Sequence, residues 1–500
     1  MPNKKATARW LFCLAFYNRI VELLPYKNSS CKVCLIVVYY TSKIISFGKN
    51  KWQNNAERYK NMAFYLRGAK TPHRKNTAKQ PVVRMQAPQS VIFPMAMHIG
   101  TPAIPTVKVG DLVAIGTKIG EANGRISSNV YASVSGKVTK LQEYLLSGGD
   151  TTTAVVIESD GQMTADPSIC PPQVNDKDGL LFALRESGIV GLGGAGFPTH
   201  VKLDVAPERI EYLIINGAEC EPYVTSDTVT MLTRADDMAY ALRALNRCLG
   251  IKNVIIGIEN NKPEAIASMR EMASSVNESS VTVKTLPPVY PQGGEKVLIY
   301  HTTGCKVPAG KLPIDVGCIV LNCTTLAAIG AYLRTGMPLV EKCVTVDGGA
   351  VKNPQNVIVP IGTRIEDILA FCGGLTETPA KLIYGGPMMG VTVPSAEHPV
   401  MKNTNAVLAL TEKEAKLPRP TACIRCGACT NTCPFGLAPA AIAAAYERKD
   451  AEALKALSAE TCMECGCCSF VCPANRPLVQ TNKLAKQLLK EEKRKEADQA

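Results

Sequence analysis

The sequence predicts a multidomain α/β protein, and three observations support this. Its 500 residues, 46% hydrophobic and 20% charged, exceed what one hydrophobic core organises and point to three or four domains. The hydrophobic period also changes along the chain. Short β-runs punctuated by Gly and Pro give way to alternating strands and helices, then to a small sheet pattern with one helix, then to helices. Finally, eight of the 20 cysteines fall in two identical spacings between Cys423 and Cys472. A composition of this kind excludes a mainly disordered chain.

The net charge of +13, from 56 Lys and Arg against 43 Asp and Glu, would on a folded surface indicate nucleic acid or an anionic membrane as partner. Its location removes that reading. Residues 1–61 hold 11 of the cations and only two acids, Glu22 and Glu57, so the remaining 439 residues carry +4 and no nucleic-acid partner is expected. The same segment holds both tryptophans, Trp10 and Trp52, and its apolar runs are Leu11–Tyr17 and Val33–Tyr40. Neither run reaches the roughly 18–20 residues of a spanning helix. No small-x-small cleavage site follows them, as a signal peptide requires. Residues 1–61 are therefore expected to be a non-native or mis-started extension, with Met62 as the start; the rival readings are a peripheral membrane anchor and a basic interaction arm. Nothing downstream reaches spanning length without charges, so any membrane role is expected to be peripheral.

Residues 62–165 read as a β domain. Val107-Lys-Val-Gly-Asp111-Leu-Val, Gly116-Thr-Lys-Ile-Gly120-Glu and Ser133-Val-Ser-Gly136-Lys-Val place β-branched residues between tight turns. This order resembles the barrel-sandwich (lipoyl-like) domains that carry lipoyl or biotinyl groups on a lysine at a turn. Here the turn is Glu121-Ala-Asn-Gly124-Arg125, with no lysine. A structural or docking module without covalent lipoyl or biotin is expected.

Residues 175–338 alternate strands (Ile210–Asn216, Asn253–Ile258, Val281–Leu286, Cys318–Asn322) with helices (Gly179–Ser187, Thr228–Leu249, Pro263–Ser275, Thr325–Arg334). Such alternation predicts a mainly parallel sheet covered by helices, with ligands at the carboxyl ends of the strands. Gly191-Leu-Gly193-Gly194-Ala-Gly196 fits G-x-G-x-x-G, and Glu219 lies 23 residues beyond it. The simple dinucleotide fingerprint needs a strand before and a helix immediately after, whereas a helix precedes this stretch and Phe197-Pro198 follow it. Closely spaced glycines nevertheless let backbone N–H groups approach a phosphate or flat ring, with Lys202 placed to meet an anionic end. Asn216-Gly-Ala-Glu219-Cys-Glu221-Pro222 brings an amide and two carboxylates to a strand end, where they suit ribose and ribityl hydroxyls; the alternative for the carboxylates is a solvated loop. Phe197 is a candidate for ring stacking or for core packing.

Residues 340–395 predict a small β-grasp module, one sheet and one helix, from Cys343-Val-Thr-Val-Asp-Gly348, Val357-Ile-Val-Pro-Ile-Gly-Thr363 and Ile365-Glu-Asp-Ile-Leu369. Within residues 411–482 a run repeats: Cys423-x-x-Cys426-x-x-Cys429-x-x-x-Cys433-Pro434, then Cys462-x-x-Cys465-x-x-Cys468-x-x-x-Cys472-Pro473. This is the spacing of paired cubane clusters, in which three thiolates of one run hold one cluster and the fourth reaches across to the other. It predicts two [4Fe-4S] clusters, one on Cys423, Cys426, Cys429 and Cys472, the other on Cys433, Cys462, Cys465 and Cys468. A structural zinc pair would use separated Cys-x-x-Cys hooks. Cys467 is expected beside a cluster without ligating it. Ala438–Leu457 reads as a helical connector, and residues 483–500, with six Lys and Arg against four acids, as a charged helical tail. The five histidines, His73, His98, His200, His301 and His398, form no ligand spacing and are assigned no metal.

The glycine stretch, Asn216–Pro222, Gly293-Gly-Glu295-Lys and Leu321-Asn-Cys-Thr-Thr-Leu-Ala327 together resemble the FMN and NADH site of the flavin-bearing subunit of respiratory NADH dehydrogenase. From Met62 to about Asn482, the order of Arg67-Gly-Ala-Lys-Thr-Pro-His73, His98-Ile-Gly-Thr-Pro102, the glycine loop, Tyr384-Gly-Gly-Pro-Met-Met-Gly390 and the paired cysteine runs resembles the RnfC family, whose members belong to the Rnf complexes, the ion-translocating ferredoxin:NAD oxidoreductases. Two features depart from the pattern. The usual Gly-Gly-Val-His-Pro opening is here Gly68-Ala-Lys-Thr-Pro, and Leu192 stands where the NADH-dehydrogenase type has Arg.

The resemblance implies an FMN/NADH-binding α/β domain at 175–338, an SLBB-like β-grasp domain at 340–395 and a paired 4Fe-4S ferredoxin-like domain at 411–482. It implies that Gly191, Gly193, Gly194 and Gly196 with Lys202 cradle a non-covalent FMN, that Glu219 and Glu221 with Asn216 bind hydroxyls and help place NAD(H), and that Asn322 and Thr324 line the same cleft. No catalytic acid or base is expected, because hydride transfer needs orientation more than proton removal. NAD(H) exchanges two electrons and each cluster one, and a flavin is the usual converter. The implied function is a peripheral electron-transfer subunit on the cytoplasmic side of the cell membrane. Its partners would be the other Rnf subunits, with ferredoxin reached indirectly through the complex and Na⁺ or H⁺ translocated. The alternatives are a soluble flavin and iron-sulfur reductase, such as a microcompartment cobalamin reductase, and a non-catalytic electron-wiring adaptor. For the start site, tryptic digestion of native protein is expected to yield no peptides upstream of Met62; abundant peptides containing Trp10 or Trp52 would overturn it.

Overall fold

The computed structural model describes residues 67–277 and 280–498. The expectations for residues 1–61 and for Met62 lie outside them.

Short strands separated by Gly and Pro turns cannot form long ladders, so the β domain consists of two small antiparallel sheets. Its strands are β1 (Val83–Arg84), β2 (Ser90–Pro94), β3 (Ile104–Pro105), β4 (Leu112–Val113), β5 (Lys118–Glu121), β6 (Val130–Tyr131), β7 (Gly136–Leu145) and β8 (Thr151–Ser159). One sheet has the order β2-β8-β7-β4 and the other β3-β5-β6. Phe93, Met95, Ile119, Val134, Val155 and Ile157 are buried in their shared core. The strand β1 leaves this domain and pairs in parallel with a later sheet.

The α/β domain begins with α1 (Lys177–Glu186), whose first turn is capped by the Asp176 carboxylate accepting from Gly179 N at 2.8 Å. There follow α2 (Thr199–Leu203), β9 (Tyr212–Gly217), α3 (Ser226–Thr233), α4 (Ala235–Leu249), β10 (Asn253–Glu259), α5 (Pro263–Ser274), β11 (Ser280–Leu286), α6 (Glu295–Thr303), β12 (Cys318–Asn322) and α7 (Cys323–Thr335). The strands are parallel throughout, in the order β11-β10-β9-β12. The chain thus winds from β9 to one side and then returns to place β12 on the other. A crevice opens outside the carboxyl ends where the winding reverses, and Asn216 and Asn322 are register partners on its two walls.

The single helix expected over Thr228–Leu249 is two helices. Arg234 leaves the helical region (φ −130°, ψ 30°), and its guanidinium donates to Asp237 Oδ2 at 2.9 Å and Ala327 O at 3.2 Å. One side-chain bond into the start of α4 and one to the neighbouring α7 hold this break. The two helices α4 and α7 pack closely at Gly330, where a Cβ would lie 1.8 Å from Asp237 O.

The third domain forms one mixed sheet, β1-β14-β13-β17-β15-β16, covered by a helix. It uses β13 (Glu341–Asp347), β14 (Gln355–Pro360), α8 (Ile365–Phe371), β15 (Lys381–Tyr384), β16 (Val391–Val393) and β17 (Ala406–Leu410). The interior strand β17 lies beyond residue 395, outside the limits expected for this domain. All five of its residues are buried, so it has no polar alternation to announce it.

The cysteine-rich domain carries α9 (Glu412–Ala415), α10 (Ala428–Thr432), α11 (Pro439–Glu447), α12 (Ala451–Ala456), α13 (Cys467–Phe470) and α14 (Leu478–Asp498). The connector expected as one helical stretch over Ala438–Leu457 is broken between α11 and α12. Lys449 has φ 55° there, and Asp450 caps α12 by accepting from Ala453 N at 2.9 Å. The terminal helix starts before residue 483, and its stripe Leu478, Asn482, Ala485 and Leu489 is buried. No described helix is long and apolar enough to cross a membrane.

Gly330→Ala is expected to destabilise the chain by about 1–3 kcal/mol through overpacking of α4 on α7. Denaturant midpoints followed by circular dichroism test this against Gly148→Ala, where a Cβ meets nothing within 4 Å. Equal midpoints for the two variants would refute the close helix contact.

Candidate functional site

The glycine loop leaves α1 and crosses the mouth of the crevice. It closes on itself through Gly191 N→Phe197 O (2.8 Å) and Gly196 N→Gly191 O (3.2 Å). Leu192 is buried at the back of the loop, its N–H donating to Thr325 Oγ1 at 2.9 Å and its carbonyl accepting from Lys342 Nζ at 2.6 Å. Gly193 faces the Asn322 side chain so closely that a Cβ would lie 2.9 Å from it, so only glycine fits. Gly193, Gly194 and Ala195 are exposed, and among the described residues their N–H groups have no backbone or side-chain acceptor. Such a run of free donors suits an anion.

Two other domains reach this loop. From the barrel-sandwich domain, Ile99 N donates to Gly196 O at 3.1 Å. From the residues between β16 and β17, Asn403 Nδ2 donates to Gly194 O at 2.5 Å. The buried Lys402 ammonium donates to Gly188 O (2.8 Å), Ser128 Oγ (3.1 Å) and Asn129 O, joining three domains at one nitrogen. Burial pushes Lys402 down to about 7 and Lys342 down to about 8.

The expected polar residues gather at the same crevice, but most of their atoms are engaged. Asn216 donates from Nδ2 to Gly293 O (2.9 Å) and accepts from Ala218 N (3.2 Å). Asn322 caps α7 through Thr324 N (2.9 Å) and donates to Asp227 Oδ2 (2.7 Å), while Thr324 Oγ1 donates to Asp227 Oδ1 (2.7 Å). Lys202 Nζ is ion-paired with Glu295 at 2.6 Å. Phe197 is half-buried beside the loop.

The two glutamates, expected to bind hydroxyls, are both engaged by the fold. Glu219 is buried, with Oε1 accepting from Asp227 N (2.6 Å) and Oε2 from the Thr228 hydroxyl, so its carboxylate caps α3. A loop carboxylate this close to an uncapped helix start turns inward, because the orphan N–H groups attract it more than water does. Glu221 accepts from Met388 N (3.0 Å), Met389 N (2.9 Å) and Tyr290 Oη (3.4 Å), anchoring the Gly385–Gly390 loop to the strand end. Burial pushes the Glu221 carboxyl up to about 7, against the pull of those donors.

Beneath these residues lie groups that the motifs do not mark. Lys75 donates to Glu219 O and Glu221 O, each at 2.8 Å, and Lys262 to Ala218 O at 2.7 Å. The sequence carries a signal for Lys342, since it shares strand parity with the buried Val344 and Val346. Asn482 likewise shares the helical stripe of Leu478 and Ala485.

The cysteines line two cavities, and the grouping is crossed between the runs. Cys423, Cys426, Cys429 and Cys472 line a cavity of about 250 Å³. Cys433, Cys462, Cys465 and Cys468 line a narrower one of about 20 Å³, together with Cys467 and Asn482. Each set offers four sulfur donors on apolar walls without His or carboxylate, a soft set that fits iron-sulfur chemistry. A cubane takes one thiolate per iron, so its ligands ring a volume. Among the described residues no three His, Cys, Asp or Glu side chains converge on one point. Cys423 and Cys426 are exposed, whereas Cys465, Cys467 and Cys468 are buried. The second cavity abuts the crevice: Cys467 Sγ donates to Tyr290 O at 3.6 Å, and Met463 packs on Gly294. Cys465 and Cys467 share an apolar cluster with Ala69 and Tyr290.

Comparison with known proteins follows the same divisions. Residues 64–162 match the RnfC barrel sandwich hybrid domain, 184–331 the Nuo51 FMN-binding domain, 343–392 the SLBB domain and 420–476 the 4Fe-4S dicluster domain. The chain is 41% identical to the C component of the proton-translocating ferredoxin:NAD(+) oxidoreductase complex of Clostridium ljungdahlii, over 73% of this chain and 80% of that one. Among solved structures, an NAD+-reducing [NiFe]-hydrogenase is similar at 19% identity and a TM-score of 0.45, covering 64% of each chain, too loosely to carry an argument. The C component of the Na(+)-translocating ferredoxin:NAD(+) oxidoreductase complex of Acetobacterium woodii is 43% identical over 86% of this chain and 97% of its own length. On that similarity, and on the four domains matched in order, the chain belongs to the RnfC family of the ion-translocating ferredoxin:NAD oxidoreductase complexes.

Proposed function

We propose that this chain is the peripheral electron-transfer subunit of a membrane-bound, ion-translocating ferredoxin:NAD oxidoreductase. It exchanges electrons between NAD(H), a non-covalent FMN and two [4Fe-4S] clusters. The observation that carries the reading is the juxtaposition of a strand-end crevice bearing three free N–H groups with a cysteine-lined cavity, and of that cavity with a second, exposed one.

Gly191, Gly193, Gly194 and Gly196 form the cradle for the flavin phosphate, and Lys202 stands near it on α2. Asn216, Asn322 and Thr324 shape the crevice walls through their mutual bonds. Glu221 is the nearer carboxylate for a hydroxyl or the nicotinamide, while Glu219 supports the wall from inside. A bound flavin supplies the exchange between hydride and single-electron chemistry. Cys433, Cys462, Cys465 and Cys468 would hold the cluster beside the crevice, and Cys423, Cys426, Cys429 and Cys472 the outer one. The exposed outer site faces the other subunits, through which ferredoxin is reached, on the cytoplasmic side. The barrel-sandwich turn at Glu121–Arg125 carries no lysine for lipoyl or biotin, and this domain instead supports the glycine loop through Ile99.

Around the inner site, Glu464 N donates to Cys462 Sγ at 3.4 Å and Asn482 Nδ2 to the same sulfur at 3.5 Å. The Asn482 Oδ1 is buried without a partner, so the sulfur contact is the hydrogen bond this amide makes among the described residues. Hydrogen bonds to ligating sulfur stabilise the more negative, reduced cluster and raise its potential.

Anaerobically purified protein is expected to hold about eight iron and eight sulfide, to release FMN on heating, and to bleach on NADH with EPR signals from two clusters. Zinc with negligible sulfide would overturn the cluster assignment. Bleaching by dithionite but never by NADH, with no flavin released, would instead establish an electron-wiring adaptor. Asn482→Leu is expected to lower the midpoint of one cluster, by about 59 mV if the reduction equilibrium shifts tenfold, and to leave the other unchanged. EPR redox titration reads this, and unchanged midpoints for both clusters would refute the Asn482 contact.

A further inference from the structure

The ammonium of Lys342 comes from the β-grasp sheet and is only 4% exposed, on the inward face of β13. It makes no salt bridge within 4 Å among the described residues, and the hydrogen bond it makes there is to Leu192 O at 2.6 Å. A buried ammonium is costly unless its protons are well placed. Its one hydrogen bond among the described residues falls on the carbonyl of the residue just before the exposed glycines.

Its consequence follows from peptide geometry. In a trans peptide the C=O and the following N–H point in opposite directions. With Leu192 O turned inward to Lys342, the Gly193 N–H is turned outward to the crevice. The preceding peptide is fixed as well, because Leu192 N donates to Thr325 Oγ1 at 2.9 Å. Gly193, Gly194 and Ala195 are the exposed residues whose N–H groups have no acceptor among the described residues. Without the Lys342 bond the Leu192 carbonyl loses its hydrogen-bond donor among the described residues, and a carbonyl rotated to face the crevice would repel an anion.

We propose that Lys342 is a positioning residue for phosphate recognition: from a neighbouring domain it orients the Leu192–Gly193 peptide so that the glycine loop presents its N–H groups to the flavin phosphate. This rests on the FMN reading above. It assigns the β-grasp domain a part in cofactor binding without contact to the cofactor, and makes docking of that domain a condition for selecting FMN over riboflavin.

The test compares the affinities of flavin-free, cluster-loaded full-length protein for FMN and for riboflavin, by fluorescence quenching. Riboflavin lacks only the phosphate. Lys342→Met is expected to weaken FMN binding about tenfold or more while leaving riboflavin binding unchanged, so that the preference for FMN collapses. Lys342→Gln keeps one donor for Leu192 O and is expected to restore part of the preference. It also serves where Lys342→Met folds poorly, as judged by circular dichroism. An FMN-to-riboflavin ratio unchanged from wild type in the folded variants, or equal weakening of both ligands, would reduce Lys342 to a packing contact and overturn the proposal. Failure of the wild-type chain to bind either flavin would instead sink the FMN reading on which it rests.

Discussion

Buried ammonium groups donating to main-chain carbonyls hold the working edge of this molecule in shape. Lys75 takes the carbonyls of Glu219 and Glu221, Lys262 that of Ala218, Lys342 that of Leu192, and Lys402 that of Gly188. A desolvated ammonium tolerates little freedom, since each proton without an acceptor costs free energy. Each lysine therefore fixes the backbone it touches. Three of these ammonium groups are matched by buried carboxylates: Lys262 pairs with Glu259 at 3.0 Å, and Lys75 and Lys342 lie beside Glu219 and Asp227 respectively. The counter-charges Glu219 and Glu259 are buried in the same region and do not line the open mouth.

This arrangement makes the site a property of several domains at once. The α/β domain supplies the crevice, but the loop across it is tied back by Ile99 from the barrel-sandwich domain and by Lys342 from the β-grasp domain. Glu221 in turn secures the Gly385–Gly390 loop. The opening segment joins in as well, because Ala69 pairs with Tyr290, and Thr432 of the cysteine-rich domain donates to Gly68 O at 2.7 Å. Tyr290 then lies between the crevice and the inner cysteine cavity, bonded on one side to Glu221 and on the other to Cys467. Electron transfer over short distances needs a fixed separation, and this packing provides one.

How much was legible in the sequence depends on how local the cause was. The parallel order followed from alternating strands and helices, and the three-cysteine grip of each run from its local spacing, because both are set by neighbours along the chain; the crossed fourth cysteine followed from the duplication of the run. The rejection of the glycine loop as a simple dinucleotide fingerprint agrees with its place between α1 and α2, ahead of the first strand of the sheet. Elsewhere the local signal was misleading. Arg234 breaks a helix through bonds to Asp237 and Ala327, and β17 is buried on both faces. The sequence offers Glu219 as a hydroxyl-binding carboxylate, and the start of α3 takes both its oxygens.

The sequence by itself determined the elements, the paired cysteine runs and the residue types available at the strand ends. Those depend on hydrophobic period, turn chemistry and ligand spacing, which act over a few residues. Only the tertiary structure decided which polar atoms remain free for a ligand and which are consumed by the fold. That choice is made by partners more than a hundred residues away, as when Lys342 binds Leu192 O and Met388 N binds Glu221. A buried donor or acceptor takes whichever complementary atom the packing brings within reach.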